Sequence, residues 1–198
     1  KTTASVKIDL NKIEEVGSLY DDYVLPVRIA SSTGEPMGQN KYTKVLAHIG
    51  FKNDYSGTYS GKGVITQQGT TYTTEITSTL LYAINNNVCY MFVGEKTRAN
   101  TQDYLNYVVE IERNEWGGIV LSSNVEGLQF KPYSAKLSRK YTYNYNDQRY
   151  YTEITTIELA YEYLDSTQGE PLMMSFEGTF SMSRDVLRVE YPDVDVEE

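Results

Sequence analysis

Tyr72-Thr73-Thr74-Glu75-Ile76-Thr77-Ser78-Thr79-Leu80-Leu81-Tyr82 sets Tyr72, Ile76, Leu80 and Tyr82 on the even positions and mainly Thr and Glu on the odd ones. A period of two in β-branched and aromatic residues is the pattern of a half-buried antiparallel strand. Working outward, the same texture predicts strands at 55–66, 71–84, 88–95, 104–113, 117–123, 136–145, 149–164 and 171–182. Short breakers separate them: Gln68-Gly69, Asn85-Asn86-Asn87, Asn114 to Gly118, Asn146-Asp147 and Ser166 to Pro171. Provided that Leu128–Lys131 is not a separate crossing, these eight strands form a meander. Such a set closes into an up-and-down barrel, which removes the sheet edges; a sandwich is the alternative.

Within the meander, three glycines (Gly57, Gly61, Gly63) interrupt a strand pattern, marking a bend or a close backbone approach. The 149–164 strand changes phase, with Ile154 on the even face and Ile157, Leu159, Tyr161 and Tyr163 on the odd. A β-bulge near Thr155-Thr156 would restore the phase. Leu187, Val189 and Tyr191 read as a last short strand before an acidic tail at 192–198. Residues 1–50 give about three strands (5–10, 23–29, 42–51), one of them interrupted by Pro26, which suits an edge or a bulge. So small a sheet buries little core, and the segment is expected to pack on the barrel or pair with another molecule. The domain reading is therefore 1–50, a barrel at 51–191 and the tail.

Composition narrows the chemistry. The 198 residues hold 19 Tyr but one Trp, one His and one Cys, which removes the usual nucleophiles, bases and metal ligands. Lys and Arg number 18 against 27 Asp and Glu, a net charge of −9, which argues against nucleic acid and anionic membranes. No apolar run reaches the ~18 residues of a spanning helix. The chain opens on Lys1 rather than Met, implying a processed start, so the missing signal peptide does not indicate a cytoplasmic home. His48 and Cys89 read as structural residues, Glu158 and Glu162 as a solvated strand face, and no cofactor or metal is expected.

Two stretches carry a family resemblance. Val6-Lys-Ile-Asp-Leu10 with Asp22 to Ser31 resembles the closing portion of a β-sandwich in Bacteroidetes cell-surface lipoproteins. Asp54-Tyr-Ser-Gly-Thr-Tyr-Ser60 with Phe176-Glu-Gly-Thr-Phe180 resembles the lipocalin-like barrel that follows it. The resemblance implies a non-catalytic module at the outer surface, carried by a lipid anchor outside this chain, next to glycan-uptake machinery. A glycan is the implied ligand. A structural or protein-interaction domain is the competing reading, with a surface protein or a second copy engaged through residues 1–50, and a glycoside hydrolase is the third.

In an up-and-down order, alternate turns emerge at one end. That gathers Trp116, Tyr145 and Tyr150 with Asn86, Asn146, Asp147 and Arg149 on one rim. Aromatic faces stack on sugar C–H surfaces while amide and guanidinium groups bond hydroxyls, the mixture a ligand site needs. The opposing reading is a set of hairpin tips plugged by their own aromatics.

Overall fold

A computed structural model describes residues 23–28, 44–167 and 169–197. The chain divides into two units, Lys1–Phe51 and Lys52–Glu198. In the first, β1 (Tyr23–Arg28) and β2 (Lys44–Ile49) form an antiparallel hairpin in which Pro26 faces Leu46. Among the described residues the ladder has two strands, so Pro26 has a partner on one side there, and a residue without an N–H is tolerated at an edge. The strand expected at 5–10 lies outside the described residues.

The second unit is one sheet. Its strands are β3 (Gly57–Gln67), β4 (Thr73–Ala83), β5 (Val88–Phe92), β6 (Val108–Arg113), β7 (Ile119–Ser122), β8 (Lys131–Tyr143), β9 (Tyr150–Asp165), β10 (Leu172–Leu187) and β11 (Val196–Glu197). They lie in the order β11-β8-β9-β10-β3-β4-β5-β6-β7, antiparallel except for the two-residue β11 beside β8. The protein is all-β, with no α-helix among the described residues. The sheet curls until β7 lies beside β8. No hydrogen-bonded ladder joins those two among the described residues, so the sheet is rolled but not closed.

The rolled sheet encloses Tyr59, Ile65, Leu81, Met91, Ile111, Leu121, Ile157, Leu159, Tyr161, Tyr163, Phe176 and Phe180, all buried. The glycines of β3 make this packing possible. Gly63 pairs with Gly178 of β10, and the parallel rings of Phe176 and Phe180, 6.2 Å apart, fill the space that two side chains would have taken. A Cβ on Gly63 would lie 2.8 Å from both rings. One on Gly61 would meet the β10 backbone itself, 2.7 Å from Phe180 Cα. Close approach, expected from the sequence, is what these glycines provide.

Gly61 also corrects the reading of the opening stretch. The β3–β4 register shifts between Ser60 and Gly63, so one extra β3 residue bulges there. Across the bulge the inward phase of β4 changes. Ile76 is buried on the even side, but Leu81 and Ala83, not Leu80 and Tyr82, are buried beyond it. Tyr72 is exposed. The single apolar row is two half-rows on opposite faces.

The bulge expected in β9 is absent. Its registers with β8 and β10 run unbroken through Thr155 and Thr156, and the β8–β9 shift falls between Pro132 and Ser134 instead. The odd, inward phase continues, carrying Glu153 and Thr155 into the interior and leaving Ile154 on the outer side. Three boundaries also differ. Tyr104–Tyr107 is a 3-10 turn rather than the start of β6, and Arg188–Glu190 is another where a strand was expected. Leu128 closes a third, and Lys131 opens β8, so that segment is no separate crossing and β3–β10 number eight. Val196 and Glu197, in the acidic tail, pair with Tyr141 and Thr142.

Candidate functional site

The antiparallel order puts the β4–β5, β6–β7 and β8–β9 turns at one end of the sheet, here the hairpin rim. One device repeats there. Asn85 Oδ1 accepts the N–H groups of Asn87 (2.8 Å) and Val88 (2.9 Å). Asn114 Oδ1 accepts those of Trp116 (3.1 Å) and Gly118 (2.9 Å), and Asn144 Oδ1 those of Asn146 (2.9 Å) and Asp147 (3.1 Å). Asn53, at the entry to β3, does the same for Tyr55 and Ser56 and donates to the Asn85 carbonyl at 2.8 Å. An Asn side chain that mimics a backbone turn fixes each tip.

On these tips Trp116 is 93% and Tyr145 85% exposed, so neither plugs the end of the sheet. Asn86, on the β4–β5 tip, and Asn146, on the β8–β9 tip, are exposed as well. Asp147, Arg149 and Tyr150 form their own group: Arg149 donates to both Asp147 oxygens (3.0 and 2.6 Å) and lies 5.7 Å from the Tyr150 ring centre. The Arg149 bonds hold the Asp147 carboxyl down to about 2.

Beneath this rim lies a charged group that sequence reasoning missed. Glu153 is fully buried, with Arg184 Nε at 2.9 Å from Oε1 and the Tyr141 hydroxyl donating to Oε2 at 3.0 Å. Arg139 Nη1 lies 4.0 Å away, and Asp54 lies 3.7 Å from both arginines. A carboxylate so enclosed needs such neighbours. The signal was the unbroken odd phase of β9, which an assumed bulge concealed.

The opposite end, the loop rim, carries the connection from Val93 to Tyr107, long beside the tight turns of the other end. Loops of this length inside compact domains are commonly functional. It is tied down at several points. Gly94 N–H donates to the Tyr161 hydroxyl (3.1 Å), and Ser166 N–H to that of Tyr107 (3.2 Å). Lys96 Nζ pairs with Asp165 at 2.8 Å, donates to Thr167 Oγ1 at 2.9 Å and lies 5.4 Å from the Tyr107 ring centre. Burial pushes the Asp165 carboxyl up, but the Lys96 and Thr167 bonds outweigh it and leave it below its ordinary value.

Around Lys96 the surface is concave. A basin of about 600 Å³ is lined by Lys96, Gln102, Asp103, Asn106 and Thr167 among others. A second, of about 420 Å³, is floored by Ile65, Tyr163, Leu172 and Met174 and shares Glu95 and Lys96 with the first. None of the seven sequence-predicted residues lines either basin. The loop's polar, amide-rich composition between two predicted strands was the signal that could have revealed it. Among the described residues no cluster of His, Cys, Asp and Glu has the makings of a metal site.

Residues 43–181 match a protein-family model whose description reads "-like, C-terminal". No curated protein matches the chain. Among solved structures, a structural-genomics protein of unknown function from Bacteroides ovatus is similar at a TM-score of 0.70 and 20% identity, covering 83% of this chain and 58% of its own. A multidomain protein including DUF1735, also from Bacteroides ovatus, gives 0.71 and 18%, covering 92% and 72%. An auxiliary nutrient binding protein from Bacteroides thetaiotaomicron gives 0.67 and 19%, covering 86% and 59%. At these identities the likeness is one of fold. The chain spans little more than half the length of the first and third of these proteins.

Proposed function

The chain belongs to this family of C-terminal domains, and from that premise we propose that it is a non-catalytic, glycan-binding module of a bacterial cell surface, built on an open, lipocalin-like roll of sheet. The observation that carries the reading is the hairpin rim. Two large aromatics, Trp116 and Tyr145, stand 93% and 85% exposed on tips fixed by Asn side chains. A large aromatic held in water on a rigid turn forgoes the burial its ring would gain, on the order of 2 kcal/mol, unless a partner covers it. Asn86 and Asn146 supply exposed amides on the same rim, and the Arg149–Asp147 pair a fixed charge-paired edge. Such a surface offers stacking to sugar faces and hydrogen bonds to their hydroxyls.

Support from outside the chain is the similar fold of a protein described as an auxiliary nutrient binding protein. Surface attachment through a lipid anchor belongs to the same proposal. The test is titration of a glycan-array hit into wild type and Trp116→Ala. Loss of a stacking anchor weakens binding by ~1–2 kcal/mol, or about tenfold, with the melting temperature unchanged. A fall in melting temperature without specific loss of binding would show Trp116 to be structural and favour the protein-interaction reading.

A further inference from the structure

The basin at the loop rim lies at the far end of the sheet from Trp116 and belongs to none of the residues proposed above. We propose that it is a second binding site, one that takes an uncharged, hydroxyl-rich ligand of oligosaccharide type.

Its volume, about 600 Å³, falls in the range of small-molecule sites. Its walls are held from below. Lys96, the basin's cation, is committed to Asp165 and Thr167 and itself only 11% exposed; Asn100 is committed to Thr97 N–H at 2.7 Å and the Glu95 carbonyl at 2.9 Å. These bonds fix the loop and leave other side chains uncommitted. Gln102, Asp103 and Asn106 line the basin, are exposed, and engage no hydrogen bond or ion pair through their side chains among the described residues. Asp103 and Asn106 are also locked together by backbone. Asp103 is held in the left-handed region (φ 54, ψ 40), and its carbonyl accepts the Asn106 N–H at 2.8 Å.

The chemistry of these groups selects the ligand. Two amides bring donors and acceptors together, and a carboxylate accepts two hydroxyls at once, which suits adjacent hydroxyls on a sugar ring. Anions are disfavoured. With Lys96 neutralised by Asp165, the remaining charges lining the basin are the carboxylates of Glu95 and Asp103. A uronic acid or a phosphate would enter a field of its own sign.

The inference rests on the glycan-binding reading but not on the hairpin rim, and the two are separated by titrating in the Trp116→Ala background. The probes are neutral gluco-, manno- and xylo-tetra- to hexasaccharides, with an oligogalacturonate beside them. The expected result is residual binding of a neutral probe in Trp116→Ala, weakened about tenfold by Asp103→Asn and, separately, by Asn106→Ala, the loss of one or two ligand hydrogen bonds. Melting curves confirm that each variant folds, and two variants guard against one that does not. Residual binding untouched by both loop substitutions overturns the inference, as does preference for the oligogalacturonate. Binding in wild type that Trp116→Ala abolishes overturns it too while sparing the glycan reading. No binding in any protein defeats both.

Discussion

Replacing Glu153 by Gln keeps the shape of a side chain that no water reaches and removes its charge. In the folded protein that charge receives Arg184 Nε at 2.9 Å and the Tyr141 hydroxyl at 3.0 Å, with Arg139 near 4.0 Å. Breaking a buried, hydrogen-bonded ion pair by removing one partner costs ~3–5 kcal/mol. Two features reduce that here. Arg184 keeps 32% of its side chain in water, and Asp54 remains 3.7 Å from both arginines. The amide also retains one acceptor oxygen. A loss of ~2–3 kcal/mol is expected, or ~5–10 °C in melting temperature for a unit of this size. Urea unfolding of wild type, Glu153→Gln, Arg184→Gln and the double variant measures it, because residues in direct contact should show a coupling of at least ~1 kcal/mol. A single variant within ~0.5 kcal/mol of wild type, or additive effects in the double, would refute the buried-pair account.

Three further outcomes follow from the same packing. Gly61→Ala, whose Cβ would press on the β10 backbone, should destabilise by ~2 kcal/mol or more, seen as a lower urea midpoint; a neutral effect would dispose of the bulge as drawn. Cys89, fully buried, has its thiol pushed up to about 12 by burial despite the opposing bond from Asn53, so a thiol-reactive dye at pH 8 should label it only on unfolding. The Asp165 carboxyl sits below its ordinary value when folded, so its pairing with Lys96 stabilises above the unfolded carboxyl's value and fades as pH falls through the folded one. Protection against hydrogen exchange across Val93–Tyr107, taken relative to the intrinsic rate at each pH, should fall in acid below about pH 4, and Lys96→Met should flatten that dependence; a wild-type loop whose protection is indifferent to pH would contradict the pair's role.

Strand positions were legible because alternation and turn residues are local. Asn85, Asn114 and the Asn146-Asp147 pair announced their turns, and in the first two the same atom that makes Asn a breaker pins the turn in the fold; Asn144, which pins the third, read as the end of a strand. Phase was less legible. In the Tyr72–Tyr82 stretch the alternation is real, but which half faces inward depends on a bulge in the partner strand at Gly61, a non-local fact. In β9 the error ran the other way. Ile154 on the even face read as a phase slip, when the inward positions before Ile157 belong to Thr155 and a charged Glu153 whose burial is made tolerable by arginines and a tyrosine from β8 and β10. The loop-rim basin drew no notice because recognition there rests on a fold bringing Asp103, Asn106 and Thr167 together, not on any run of sequence.

The most direct measurement is an array of plant, host and microbial glycans probed with the wild-type chain, followed by product analysis on every polysaccharide it retains. Specific retention and no chain cleavage are expected. Hydrolysis abolished by a single carboxylate substitution would contradict the proposed function, and so would an array left empty by a correctly folded protein.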